Sequence, residues 1–338
     1  MSQRRTVLVT GATGKQGRAL IHALLRQSPD YHVLALTRRA AAPPARLLLA
    51  AEDEDRITLI EATLDDEHSI RRVFADAAAV GKAIWGVFAV LAYPGLGANA
   101  DGEERQGKMM ADLALEFQVQ VFVYSSAIPS ATDDNALDMS HQAKFRIERY
   151  CEDLGSKGLK WVIIRPGFFM ENFDGFLGAV AFGVLHRGLP AGTTIALIAS
   201  EDIGNVTAGV FGEPERYLHK VLCATSGPVT TPQIMSSYKR ATGKPMPSIP
   251  GVLAKTLIRM NGGVQIVVKQ TAEAHRMRTN GEYPTFEAEV ALARSTSSIQ
   301  TFYEWKTNHN SVAMTERGDE GLGNWNKVSF TKLFTGRS

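Results

Sequence analysis

The chain has 338 residues, 44% of them hydrophobic and 21% charged, with a net charge of +2. That length allows one large or two modest domains with a sizeable core, and the near-balance of charge gives no sign of nucleic acid or an acidic membrane as a main partner. Two cysteines, Cys151 and Cys223, are too few for a disulfide framework or a zinc site, so no metal is expected.

MSQRR leads straight into an apolar run, with no leader-like segment. Phe173–Leu189, the most apolar stretch, is broken by Asp174, His186 and Arg187, which argues against a membrane span. The expectation is a cytoplasmic protein.

Thr6–Thr10 (TVLVT) reads as a buried strand, and it stops at Gly11-Ala12-Thr13-Gly14-Lys15-Gln16-Gly17. Leu20, Ile21, Leu24 and Leu25 then recur at helical spacing. Strand, glycine turn and helix in that order are the context of a dinucleotide-binding loop. Gly11 allows the sharp turn, Gly14 lets a pyrophosphate near the main chain, and Gly17 lets the helix sit close to the sheet. The helix start offers free N–H groups and a positive dipole end to phosphate.

Tyr31–Thr37 is the second strand. An acid at its end would bind the ribose 2′-hydroxyl of NAD. Arg38 and Arg39 stand there instead, and guanidinium groups suit a 2′-phosphate, so NADP(H) is expected over NAD(H). Ala40–Arg46 reads as a loop. Ile57–Ala62 is a third strand, followed by Leu64-Asp65-Asp66 and a helix carrying Ile70, Val73 and Phe74.

Ala83–Tyr93 is a fourth strand, apolar throughout and so buried on both faces. Its end, Ala92-Tyr93-Pro94-Gly95-Leu96-Gly97, lies where open α/β sheets bind ligands. A helix over Asp101–Phe117 leads to a fifth strand, Val119–Tyr124, ending in Ser125-Ser126. A helix over Ser140–Leu154 leads to a sixth, Trp161–Arg165, stopped by Pro166-Gly167. This alternation predicts an α/β fold with a doubly wound parallel sheet.

Beyond Phe168-Phe169-Met170-Glu171-Asn172-Phe173 the alternation is lost. Phe169 and Met170 are candidates for a cleft wall, against the plainer reading that all these aromatics are core. Thr193–Ala199 and Val221–Thr225 read as late strands. Helices are expected from Glu201, over Thr231–Gly243 behind a Thr230 or Thr231 cap, and at Leu253–Met260. Asp202 reads as a helix-start acid.

Several ordered segments resemble the NmrA-like group of atypical short-chain dehydrogenases. They are TGATGKQG (Thr10–Gly17), FVYSSA (Phe122–Ala127), KFRIERYCEDLG (Lys144–Gly155), RPGFFMENF (Arg165–Phe173), EDIG (Glu201–Gly204), TGKP (Thr242–Pro245) and FYEWKTN (Phe302–Asn308). The resemblance covers about Thr6 to Asn308. It implies an NADP-binding Rossmann domain over residues 1–165, to which about 187–227 returns. A smaller, mainly helical domain over 166–186 and 228–310 would close a cleft for substrate or effector. Residues 311–338 form a polar tail.

The resemblance implies one of two roles: a reductase of aromatic or polyketide-type compounds, as in fungal secondary metabolism, or an NADP sensor that contacts a transcription factor, with a nuclear location as the alternative to the cytoplasm. Two departures stand out. Ala62-Thr63-Leu64-Asp65 replaces the usual Gly-Asp-Leu-Asp, and the family histidine position, four before the lysine, is Ser140, with His141 one residue on.

None of the eight tyrosines has a lysine four residues on, so the ordinary Tyr-x-x-x-Lys device is absent. Lys144 matches the lysine that the reductase relatives use as acid/base. It is expected to move a proton or to anchor the nicotinamide ribose, unless it is a surface lysine paired with Glu148. His141 and Tyr124 are further proton-donor candidates, and Ser125 and Ser126 can orient substrate or cofactor. Cofactor contacts are expected at Gly11, Thr13, Gly14, Lys15, Gln16, Gly17, Arg38, Arg39, Leu64, Asp65, Ala92, Tyr93, Ser125, Lys144, Pro166 and Phe168. The expected activity is hydride transfer to a ketone, enone or quinone-like carbon of an apolar small molecule.

Overall fold

A computed structural model describes residues 4–50, 54–93, 95, 99–131 and 139–315. The chain opens as an alternation of β1 (Arg5–Val9), α1 (Lys15–Gln27), β2 (Tyr31–Thr37), α2 (Pro43–Ala50), β3 (Ile57–Glu61) and α3 (Glu67–Ala79). It continues with β4 (Ile84–Ala89), α4 (Asp101–Glu116), β5 (Val121–Ser125), α5 (Met139–Gly155) and β6 (Trp161–Pro166). Then come β7 (Phe168–Phe169), α6 (Gly175–Gly188), β8 (Thr194–Ile198), α7 (Ser200–Gly212), α8 (Pro214–Tyr217), β9 (Lys220–Ala224) and β10 (Pro228–Thr230). The C-terminal part is helical: α9 (Thr231–Thr242), α10 (Gly251–Met260), α11 (Gly262–Thr279), α12 (Phe286–Arg294) and α13 (Phe302–Thr315).

The main sheet has seven strands in the order β3-β2-β1-β4-β5-β6-β9, every pairing parallel. Such a sheet needs helices on both faces, and its central strands are apolar on both. Along β1, Val7 and Val9 join Leu20, Leu24 and Phe211 on one face, while Leu8 joins Phe74 and Met110 on the other. This is the doubly wound fold that the strand–helix alternation predicts.

Two local readings are corrected. Pro43–Ala50 is a helix where a loop is expected from composition; proline is tolerated in a first helical turn, and Ala45 and Leu48 supply a buried face. Strand β4 stops at Ala89, short of Tyr93, because Val90 leaves the ladder. Its N–H donates to Thr10 Oγ1 at 2.9 Å, and its carbonyl accepts from the same hydroxyl at 2.8 Å.

Of the two late strands, β9 extends the main sheet beside β6, whereas β8 pairs with β7 and β10 in a separate three-stranded sheet. Helix α13 continues to Thr315, five residues into the segment read as a tail; 316–338 lie outside the described residues, as do Pro94, Leu96 and Gly97.

Helix α9 starts at a capping box: Thr230 accepts from Gln233 N while Gln233 Oε1 accepts from Thr230 N. It ends at Gly243, whose φ of 71° is the left-handed cap. Beneath α9 and α13 lies a second core of Met170, Phe173, Phe182, Ile195, Leu197 and Trp305.

Candidate active site

The glycine turn closes on itself. Gly11 has φ +55°, and its carbonyl accepts from Gly14 N at 2.8 Å. A Cβ at Gly17 would stand 2.3 Å from the Gly11 oxygen and 2.8 Å from Ala12 Cα, so only glycine lets α1 start this close to the turn. Helix α1 has no side-chain cap and no acid in its first turn. Its first turn carries Lys15 and is followed by Arg18, whose Nε is buried with no hydrogen-bond partner among the described residues. Burial alone pushes the Arg18 pKa down. A helix start with no side-chain cap and no acid in its first turn fits an anionic group such as a pyrophosphate.

The remaining candidate residues come from the carboxyl ends of β2 to β6 and from the segments that follow them. Ser125, at the end of β5, donates to Gln16 Oε1 at 2.7 Å, tying that strand to the first turn of α1. Tyr124, one residue earlier, is fully buried; its hydroxyl has no partner among the described residues, and burial and then the charge of Glu103 push its pKa well up. It is a core phenol, shielded from solvent.

Lys144 does not pair with Glu148. Its Nζ bonds Glu103 Oε1, and the second Glu103 oxygen accepts from Ser140 Oγ at 3.1 Å. The Lys144 side chain is 14% exposed and that of Glu103 1%. Glu148 is taken by Arg165 of β6, with Nη2 to Oε2 at 2.6 Å. Arg165 Nη1 also donates to Tyr283 Oη at 3.0 Å, and Tyr283 donates to Glu289 of α12. His141, one turn before Lys144, meets Gln270 of α11 at 3.1 Å. Helix α5 is thus bridged to the C-terminal helices on both sides of Lys144.

Arg38 and Arg39 are exposed just beyond β2. Glu61, opposite Thr37 at the end of β3, accepts from Ala40 N at 2.8 Å. Asp65 accepts from Gln106 Nε2 at 2.8 Å, and Leu64 packs on the core beside it. Ala92 and Tyr93 are exposed, and Pro166 is buried in β6.

Phe168 and Phe169 are half-buried, whereas Met170 is fully buried in the second core, so Met170 is no cleft wall. Glu171 caps α7 by accepting from Ser200 N at 2.7 Å. Asp202 is buried and accepts from Gln300 N at 3.0 Å; burial raises its pKa to about 6. Among the described residues no group of three or more His, Cys, Asp or Glu is placed to hold a metal ion. No helix among them is long and apolar enough to cross a membrane.

Sequence reasoning missed Glu103, its contact with Ser140 and the Arg165–Glu148 pair. Glu103 lies 41 residues before Lys144, and no spacing rule links them.

The NmrA-like family pattern matches residues 3–307. Oxidoreductase FrzB of Cladobotryum sp, described as NmrA-like family domain-containing, is 27% identical over 267 residues, covering 70% of this chain and 74% of its own. Oxidoreductase cpsB of Aspergillus campestris, described in the same way, is 27% identical over 266 residues, 72% and 74% of the two chains. Among solved structures, NmrA, a negative transcriptional regulator in complex with NAD, superposes with TM-score 0.66 at 17% identity, covering 92% of this chain and 97% of its own. The NADPH-dependent quinone oxidoreductase QOR2 of Escherichia coli, complexed with NADPH, gives 0.64 at 18%, covering 90% and 99%. The glycine turn, the seven parallel strands and the helical C-terminal part, together with this match over nearly all of its length, establish that the chain belongs to the NmrA-like family.

Proposed function

We propose that this chain is an NADP(H)-dependent oxidoreductase that reduces a ketone, enone or quinone-like carbon of an apolar, aromatic or polyketide-type small molecule, as in secondary metabolism. The observation that carries the reading is Lys144 Nζ, held by a buried carboxylate at the sheet end where the phosphate turn opens. Gly11, Thr13, Gly14, Lys15, Gln16 and Gly17 would hold the pyrophosphate. Arg38 and Arg39 would hold the 2′-phosphate, with Leu64 and Asp65 on the adenine side. Ala92, Tyr93, Ser125, Pro166 and Phe168 would border the rest.

These residues would hold a reduced nicotinamide cofactor, whose chemistry would be hydride donation. Lys144 lends positive charge, and then a proton, to the substrate oxygen as it gains electrons. Support comes from the relatives named as oxidoreductases and from the fold shared with an NADPH-dependent reductase.

A rival reading is a regulator that senses NADP(H) and contacts a transcription factor without turnover. It draws on the bridges from α5 to α11 and α12, which give the C-terminal helices a grip on the site. The deciding experiment incubates the protein with NADPH deuterated at C4, each face separately, and a small-molecule extract of the source organism. A product one deuteron heavier establishes hydride transfer and identifies the substrate. NADPH binding with no label from either face favours the regulator.

A further inference from the structure

We infer that Glu103 is the positioning residue of this site: its buried carboxylate holds the Lys144 amine in place, where a substrate oxygen gaining electrons can take a proton from it. The inference rests on the oxidoreductase reading and deepens it.

Glu103 and Glu104 sit side by side in the first turn of α4, and the fold divides them. Glu104 takes Lys108 at 2.7 Å and Arg146 at 3.1 Å on the outer face. Glu103 turns inward, where its side chain is 1% exposed and Lys144 is its cation. A buried carboxylate stripped of its cation is strongly destabilised, so the two charges hold each other. Ser140 Oγ fixes the other carboxylate oxygen, and since Ser140 begins the helix that carries Lys144, both ends of the contact are set by backbone. Helices α4 and α5 both start beyond the carboxyl ends of parallel strands, which is the side where such sheets bind ligands.

Tyr124 does not compete for the amine. Its hydroxyl is fully buried and unpartnered among the described residues, and the charge on Glu103 adds to burial in keeping it neutral. In the reduction, hydride joins the carbonyl carbon, or the far carbon of an enone. The π electrons move to oxygen, the oxygen takes a proton from the Lys144 ammonium, and water returns one to the amine.

The test is competitive amine acetylation of the cofactor-free protein, read lysine by lysine by mass spectrometry. In Glu103→Gln, Lys144 is expected to label about tenfold faster than in the wild type. Lys108 and Lys160 should be unchanged as internal references, and Glu103→Asp should bring Lys144 back toward the wild-type rate. Ser140→Ala, which removes only the neighbouring contact, should give about a twofold rise. Unchanged Lys144 labelling in folded Glu103→Gln overturns the inference, as does a rise shared by every lysine. If that variant does not fold, unchanged labelling in Ser140→Ala overturns it. Failure of the wild type to bind NADPH would sink the oxidoreductase reading and leave this labelling result standing.

Discussion

Arg165 holds Glu148 in a forked pair across β6 and α5, with Nε 3.2 Å from both carboxylate oxygens and Nη2 2.6 Å from one. Both side chains are largely buried, and burial alone would raise the Glu148 pKa. Arg165→Met leaves that carboxylate without its cation and is expected to cost about 3–5 kcal/mol of stability. The double variant Arg165→Met/Glu148→Gln should recover much of this, because both charges are gone. Urea denaturation of the two variants checks the difference.

Replacing Lys144 with methionine keeps most of the packing and removes the cation. Turnover with NADPH is expected to fall about a hundredfold or more, the scale of a lost proton donor. Stability should fall as well, because Glu103 is left alone. Adding Glu103→Gln should restore stability and leave turnover low, and denaturation and steady-state rates on the same samples separate the two effects.

Arg38→Ala/Arg39→Ala should weaken NADP binding about tenfold or more while changing NAD binding by less than about twofold, since charge-assisted contacts to the extra phosphate are the difference. Fluorescence titration with both nucleotides measures the ratio. Equal weakening would remove the 2′-phosphate assignment.

The Gly17→Ala variant brings a methyl to within 2.3 Å of a backbone oxygen that cannot turn away. Helix α1 must shift, so nucleotide binding is expected to be lost while the far edge of the sheet stays folded. Calorimetric titration together with circular dichroism tells this apart from global unfolding.

Asp202 gives the protein a pH signature. Burial raises its pKa from 3.8 to about 6, so between those values the folded chain binds a proton that the unfolded chain has released. Its contribution therefore favours folding at the acid end of that window and is lost as pH rises through about 6. Asp202→Asn should flatten the fall in stability over this range, as seen in thermal melts taken across it.

Much of the first half of the fold is legible along the chain because its determinants are local. Val7–Val9, Val33–Leu36 and Val121–Val123 are short apolar runs stopped by turn residues, and Gly17 announces a close approach by its place alone. The determinants that stayed hidden are distant. Strand β7 is two residues long and exists only because Phe168 and Phe169 find Leu197 and Ile198. Lys144 has an acid four residues on, which looks like its partner until β6 brings Arg165 to claim it and α4 brings Glu103 in its place. Helix α2 was hidden in another way, since two prolines mask a helix that they merely begin.

A Cβ on Gly204 would lie 2.4 Å from the carbonyl carbon of Ala19, so α7 and α1 meet main chain to main chain. At Gly212, near the other end of α7, a Cβ would meet only the side-chain Nε2 of Gln27, at 3.0 Å. At the Gly204 crossing no side chain stands between the helices to bend and absorb a displacement. The helix that starts at the glycine turn is thus in main-chain contact with α7, which begins two residues after the end of β8.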